Sequence, residues 1–232
     1  MTSAHDQLRW MIETVAQALG EELLAKMAFT GGCTTGLLIT DEVTKESVRY
    51  TNDVDLIVEV VGYADWAALQ AQLIERGFSL NPEDTVICRM RLGELMVDFM
   101  PDDPAVLGFS NRWYKQAFAK AVDYPLTDNL VIRLLTAPYF LATKLEAFRG
   151  RGSNDPLTSP DLEDILNIID GRSTLLDELK CAEENVCHYV ADEIARLLDH
   201  EEMDYLIQGS IPGDSERTDI IFERLEAIKG LK

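Results

Sequence analysis

The chain has 232 residues with 21 basic and 41 acidic side chains, a formal net charge of −20. That balance excludes a protein that coats nucleic acid non-specifically, since phosphate binding of that kind needs a broad cationic surface. No apolar run reaches membrane-spanning length, the polar N-terminus is unlike a signal peptide, and Cys33, Cys88, Cys181 and Cys187 show no disulfide-framework spacing, so the expectation is a cytoplasmic protein that does not engage a membrane.

In chain order, residues 8–19 have helical apolar spacing and run up to Gly20, which fits a C-cap. Residues 27–30 read as a short buried strand entering Gly31-Gly32, and the apolar stretch from Cys33 to Ile39 could open a helix. Residues 54–61 are dense in Val and form a clear strand; 64–76 have helical period and stop at Gly77. Residues 86–91 and 95–100 flank Leu92-Gly93-Glu94, the pattern of a hairpin. A helix over 111–121 and a strand over 130–134 complete the first part. From Ala137 the texture is helical throughout, with helices expected over 138–148, 161–169, 174–198, 202–208 and 216–228, and a loop over 150–160. These elements predict an α+β domain over residues 1–136, a mixed sheet flanked by helices, followed by a helical domain over 137–232.

Chemistry concentrates in the segment Thr51-Asn-Asp-Val-Asp-Leu. Alternation along a strand puts Asp53 and Asp55 on the same face, where two like charges are costly unless a cation joins them. Asp98, inside the apolar run Leu95-Met-Val-Asp-Phe-Met, supplies a third carboxylate from a second strand. Mg²⁺, or Mn²⁺, takes such oxygen ligands together with substrate phosphates. Gly31-Gly32, at a strand-to-helix turn, would let backbone N–H groups approach a phosphate; no Gly-Lys-Ser/Thr follows, so this is no P-loop. The Asp102-Asp103 pair reads as a turn, Cys181, Cys187 and His188 as helix packing, and the three tryptophans as core or interface aromatics.

The order of these features, Gly-Gly turn, Asp-x-Asp strand and a later third Asp, resembles the nucleotidyltransferase fold superfamily. The twenty residues between Gly32 and Asp53 make a longer gap than is usual there, and with Arg49-Tyr-Thr-Asn-Asp-Val-Asp they resemble the AbiEii/AbiGii-type toxin-like branch. The second half is similar as well: Lys144 in Pro138-Tyr-Phe-Leu-Ala-Thr-Lys-Leu-Glu-Ala, then Arg151, Asp155 and Asp161-Leu-Glu-Asp-Ile. The resemblance covers roughly residues 27–172.

It implies a metal on Asp53, Asp55 and Asp98, nucleotide phosphates near Gly31, Gly32, Arg49 and Lys144, and catalytic roles for Asp98, Lys144 and Asp161. It further implies an NTP substrate, an acceptor hydroxyl such as that of RNA or a tRNA end, and an antitoxin protein as partner. Read from the residues alone, Lys144 is either a phosphate ligand or a snorkelling surface lysine. Arg49 orients the Asp pair, contacts phosphate or forms a structural salt bridge. Asp161 and Asp164, at i and i+3, share a helix face, and Asp161 sits where a first-turn acid suits the helix dipole. The alternatives to an RNA-modifying enzyme are a catalytically degenerate, toxin-like interaction protein and a small-molecule transferase of the aminoglycoside-modifying kind, whose polycationic acceptor an acidic surface would suit.

Overall fold

A computed structural model describes residues 3–108, 110–151, 155–210 and 215–231. The chain divides into two compact units, the first made of Met1–Thr34 and Arg49–Thr136, the second of Thr35–Val48 and Ala137–Lys232. The first unit ends at Thr136, and the chain passes into the second at Ala137. The segment Thr35–Val48, which the sequence reading left in the α+β part, groups instead with the C-terminal helices.

The first unit carries six strands: β1 Met27–Thr30, β2 Asp53–Val58, β3 Arg89–Leu92, β4 Leu95–Pro101, β5 Val122–Thr127 and β6 Leu130–Leu134. They form one mixed sheet in the order β3-β4-β2-β1-β6-β5, with β1/β6 and β2/β4 parallel and the remaining neighbours antiparallel. This is the α+β architecture expected. The central strands are the most buried: β1 is buried throughout, and Val54, Leu56, Ile57 and Val58 of β2 are buried. The long helix Ala4–Leu24 packs on the sheet through Leu8, Met11, Ile12, Val15 and Leu19, spaced as one helical face.

Gly20, at φ 66° and non-helical, ends the first helical segment as expected, and a second segment follows directly across the kink to bury Leu23 and Leu24. Two local readings are corrected. Strand β5 was not anticipated, because Pro125 and its largely exposed pattern obscure it; as the last strand of the sheet it tolerates a proline that donates no ladder hydrogen bond. The hairpin is real, but its first strand begins at Arg89, with Leu92 opposite Leu95.

The second unit is built from the helices Ala137–Gly150, Pro160–Gly171, Leu175–Cys181, Glu184–Leu198, Met203–Ser210 and Ser215–Lys229, with two short helices, Thr35–Leu38 and Glu42–Glu46, from the inserted segment. Asp41 caps Glu42–Glu46, accepting from the Thr44 amide at 2.9 Å. The backbone amides of Thr40 and Asp41 donate to the Gly171 carbonyl at 2.9 and 3.0 Å, which fastens the segment to the end of helix Pro160–Gly171. A Cβ at Gly171 would stand 2.6 Å from Ile39 Cγ2. The single helix expected over 174–198 is two, parted at Ala182-Glu183 where the backbone is extended; the Glu183 carboxylate accepts a 2.8 Å bond from the Tyr139 hydroxyl. Part of the expected 150–160 loop, residues 152–154, lies outside the described residues; beyond it Asp155 caps a short 3₁₀ turn, Pro156–Thr158. Among the described residues no helix is long and apolar enough to cross a membrane.

Candidate functional site

In β2 the side chains alternate, Val54 and Leu56 buried, Asp53 and Asp55 half-buried on the other face. Asp55 is flanked in register by Thr30 of β1 and by Asp98 of β4. Because β2 and β4 are parallel and in register, the third carboxylate falls on the same face as the first two. One carboxylate oxygen from each of Asp53, Asp55 and Asp98 lies within 4.8 Å of the others. Asp98 is buried, at 7% exposure.

The turn after β1 comes up against Asp55. Gly31 has φ +75°, and a Cβ there would stand 1.8 Å from Asp55 Oδ2. Only glycine satisfies both the left-handed backbone and the close approach. Gly32 begins a buried 3₁₀ turn, Gly32–Thr34, in which the Thr34 amide and hydroxyl both donate to the Gly31 carbonyl, at 3.1 and 2.9 Å. The turn is therefore braced by its own hydrogen bonds beside the Asp55 carboxylate.

Sequence reasoning missed the cation of the site. Arg89 Nε donates to Asp98 Oδ1 at 2.7 Å, and Nη2 donates to Asp98 Oδ2 at 2.8 Å and to Asp53 Oδ2 at 3.1 Å. The bidentate hydrogen bond to Asp98, together with the charges of Asp98 and Asp53, holds the guanidinium above its ordinary pKa. The signal was present: a hairpin with Leu92 opposite Leu95 sets Arg89 opposite Asp98. Thr51 Oγ1 donates to Asp53 Oδ1 at 2.5 Å, so both oxygens of Asp53 are engaged. Cys88 is pushed up to about 12 by burial first and by the Asp98 and Asp55 charges second, so its thiol stays protonated and inert at neutral pH. Arg49 stands half-buried, four residues before Asp53.

The remaining sequence candidates gather in the second unit. Lys144 is buried, at 8% exposure, which corrects the snorkelling alternative. Its Nζ donates to Asp164 Oδ2 at 2.6 Å and to Asp161 Oδ1 at 3.2 Å, and lies 5.8 Å from the centre of the Phe140 ring. Arg151 pairs with Asp161 Oδ2 at 3.2 Å. The i, i+3 spacing does bring Asp161 and Asp164 to one helix face, and Ser159 caps that helix by accepting from the Leu162 amide. The candidate residues thus form two clusters, Gly31, Asp53, Asp55 and Asp98 with Arg89 in the first unit, and Lys144, Asp161 and Asp164 with Arg151 in the second.

No protein-family model matches the chain, and no curated protein matches it in sequence. The functional reading therefore rests on the site.

The triad fits a hard divalent cation. Its donors are all carboxylate oxygens, the ligand type that such ions take, and they converge from two strands of a rigid sheet. The bare backbone of Gly31 leaves room for the Asp55 carboxylate in the cluster. Three carboxylates this close repel one another; Arg89 relieves part of that repulsion, and a bound cation would relieve it further.

Proposed function

We propose that the protein is a metal-dependent nucleotidyltransferase that moves an NMP from an NTP to an acceptor hydroxyl. The observation that carries this reading is the convergence of Asp53, Asp55 and Asp98 beside the glycine turn at Gly31. Asp53, Asp55 and Asp98 would hold Mg²⁺ or Mn²⁺, which when bound supplies charge neutralisation and orientation to the triphosphate. The turn at Gly31-Gly32 offers backbone amides to phosphate oxygens, and Asp98 takes up the proton that leaves the acceptor hydroxyl. Attack of that hydroxyl oxygen on the α-phosphorus forms the new ester bond, and pyrophosphate leaves. Arg49, Lys144 and Asp161 enter this reading through their resemblance to the AbiEii/AbiGii-type pattern, Arg49 and Lys144 toward phosphate and Asp161 as a partner of Lys144.

The same resemblance supports RNA, or a tRNA end, as acceptor and a toxin–antitoxin or phage-defence setting with a protein antitoxin. A second reading, a catalytically degenerate interaction protein, draws on one observation: Arg89 already neutralises part of the triad. The test is transfer from α-³²P-labelled NTPs, each in turn, to total RNA, to aminoglycosides and to protein in the presence of Mg²⁺. Label on one acceptor with release of pyrophosphate, lost in Asp55→Asn, is expected. Well-folded protein that binds no NTP with Mg²⁺ by calorimetry would overturn the enzyme reading.

A further inference from the structure

We infer that Arg89 is a built-in competitor of the divalent cation, its charge holding the acidic triad in the metal-free protein and opposing the entry of an ion onto Asp98. The inference rests on the metal reading above and concerns how the same site is regulated.

Both oxygens of Asp98 accept from Arg89, and the same guanidinium reaches Asp53 Oδ2. Each Asp98 oxygen keeps a second lone pair, so an ion that takes Asp98 as a ligand must either sit beside the guanidinium charge or displace its fork, and a bidentate arginine fork is among the strongest of charge-assisted hydrogen bonds. The arrangement is built into the strand register, since Arg89 and Asp98 face each other across the β3/β4 hairpin. It also serves the metal-free fold. The side chains of Asp98 and Asp53 are 10% and 29% exposed, so solvent screens their repulsion poorly and an internal cation relieves it. Arg89, at 15% side-chain exposure, lies near enough to the surface to swing outward when displaced. The triad is thus neutralised in one of two ways, by a guanidinium or by a divalent ion. Its affinity for the free ion is set by the difference between them.

The experiment is Mn²⁺ binding followed by electron paramagnetic resonance on the full chain, comparing wild type, Arg89→Gln and Arg89→Lys, with Asp53→Asn/Asp55→Asn as control. Removing the competitor is expected to tighten Mn²⁺ binding on the order of tenfold or more in Arg89→Gln, with Arg89→Lys in between because a lysine offers no fork. A merely structural arginine would, on removal, leave ion affinity unchanged or lower it. Thermal melts give the second readout: in EDTA, Arg89→Gln is expected to melt below wild type and to recover when Mn²⁺ is added. Equal or weaker Mn²⁺ binding in both arginine variants, with binding abolished in the aspartate control, overturns the competition and leaves the metal site standing. Absence of Mn²⁺ binding in wild type and both variants overturns the metal reading and this inference with it. Arg89→Lys retains a cation beside the triad, so it answers the question even if Arg89→Gln fails to fold.

Discussion

Gly31→Ala puts the geometry of the triad to a quantitative test. A residue with a Cβ at φ +75° costs about 1–2 kcal/mol from the left-handed backbone alone. The new methyl would also meet Asp55 Oδ2 at 1.8 Å, Cγ at 2.6 Å and Cβ at 2.7 Å, against 3.4 Å for ordinary contact. Rotating the carboxylate away costs roughly 0.5–1.5 kcal/mol off its rotamer. The clash with Cβ remains, and shifting a central strand to relieve it adds about 1–3 kcal/mol. The expected loss is therefore about 3–6 kcal/mol, of which only the backbone part survives when Asp55 is itself replaced by glycine. All three tryptophans, Trp10, Trp66 and Trp113, belong to the first unit, and Trp66 and Trp113 are buried, so tryptophan fluorescence during urea unfolding reports this unit alone. In a double-mutant cycle, Gly31→Ala should cost at least about 1 kcal/mol less in the Asp55→Gly background than in wild type. An equal cost in both backgrounds would refute the close approach of the glycine turn to the Asp55 carboxylate.

Two further outcomes follow from the second unit. Lys144→Met removes the cation bonded to two buried carboxylates and should destabilise that unit by about 3–5 kcal/mol, an effect partly relieved by adding Asp164→Asn; far-ultraviolet circular dichroism in urea measures it, and a loss below about 1 kcal/mol would refute the buried ion cluster. Activity lost in Lys144 variants is informative only after that measurement. Asp41 accepts from Arg217 Nη2 at 2.8 Å and from the Thr44 amide and hydroxyl, and these bonds, Arg217 first, hold its carboxyl well below the usual carboxylate range. A depressed carboxyl contributes stability that is fully present above the unfolded value of about 3.9 and is lost as pH falls toward the folded one. Arg217→Gln should therefore bring the Asp41 titration, followed by carboxyl-carbon NMR, up toward the ordinary value and flatten the decline of stability below about pH 4; an unchanged Asp41 titration would refute the pairing.

What could be read from the sequence was what depends on short-range period. Asp53 and Asp55 share a face because strands alternate, and Asp98 stands out because an acid in an apolar run has few structural reasons to be there. Arg89 was legible in principle, since counting back from the Leu92–Leu95 turn places it opposite Asp98, but that needed the register as well as the hairpin. Lys144 was legible as a helix position and not in its surroundings, because its partners lie 17 and 20 residues further on, on another helix. The break at Ala182-Glu183 was hidden for the same reason: no local breaker residue marks it, and Tyr139, 44 residues away, binds the side chain there. The apolar run after Gly32 looked like a continuation of the first unit, since composition cannot say which core an apolar residue joins.

That last segment has a consequence for how the chain comes into being. Thr40 bonds to Gly171 across 131 residues of sequence. At a synthesis rate of about 5–20 residues per second, Leu37, Leu38 and Ile39 leave the ribosome roughly 7–25 s before the helix that buries them has been made. For that interval the nascent protein carries a bare apolar stretch inside a half that could otherwise already be folded, a ready target for a chaperone that captures short greasy segments.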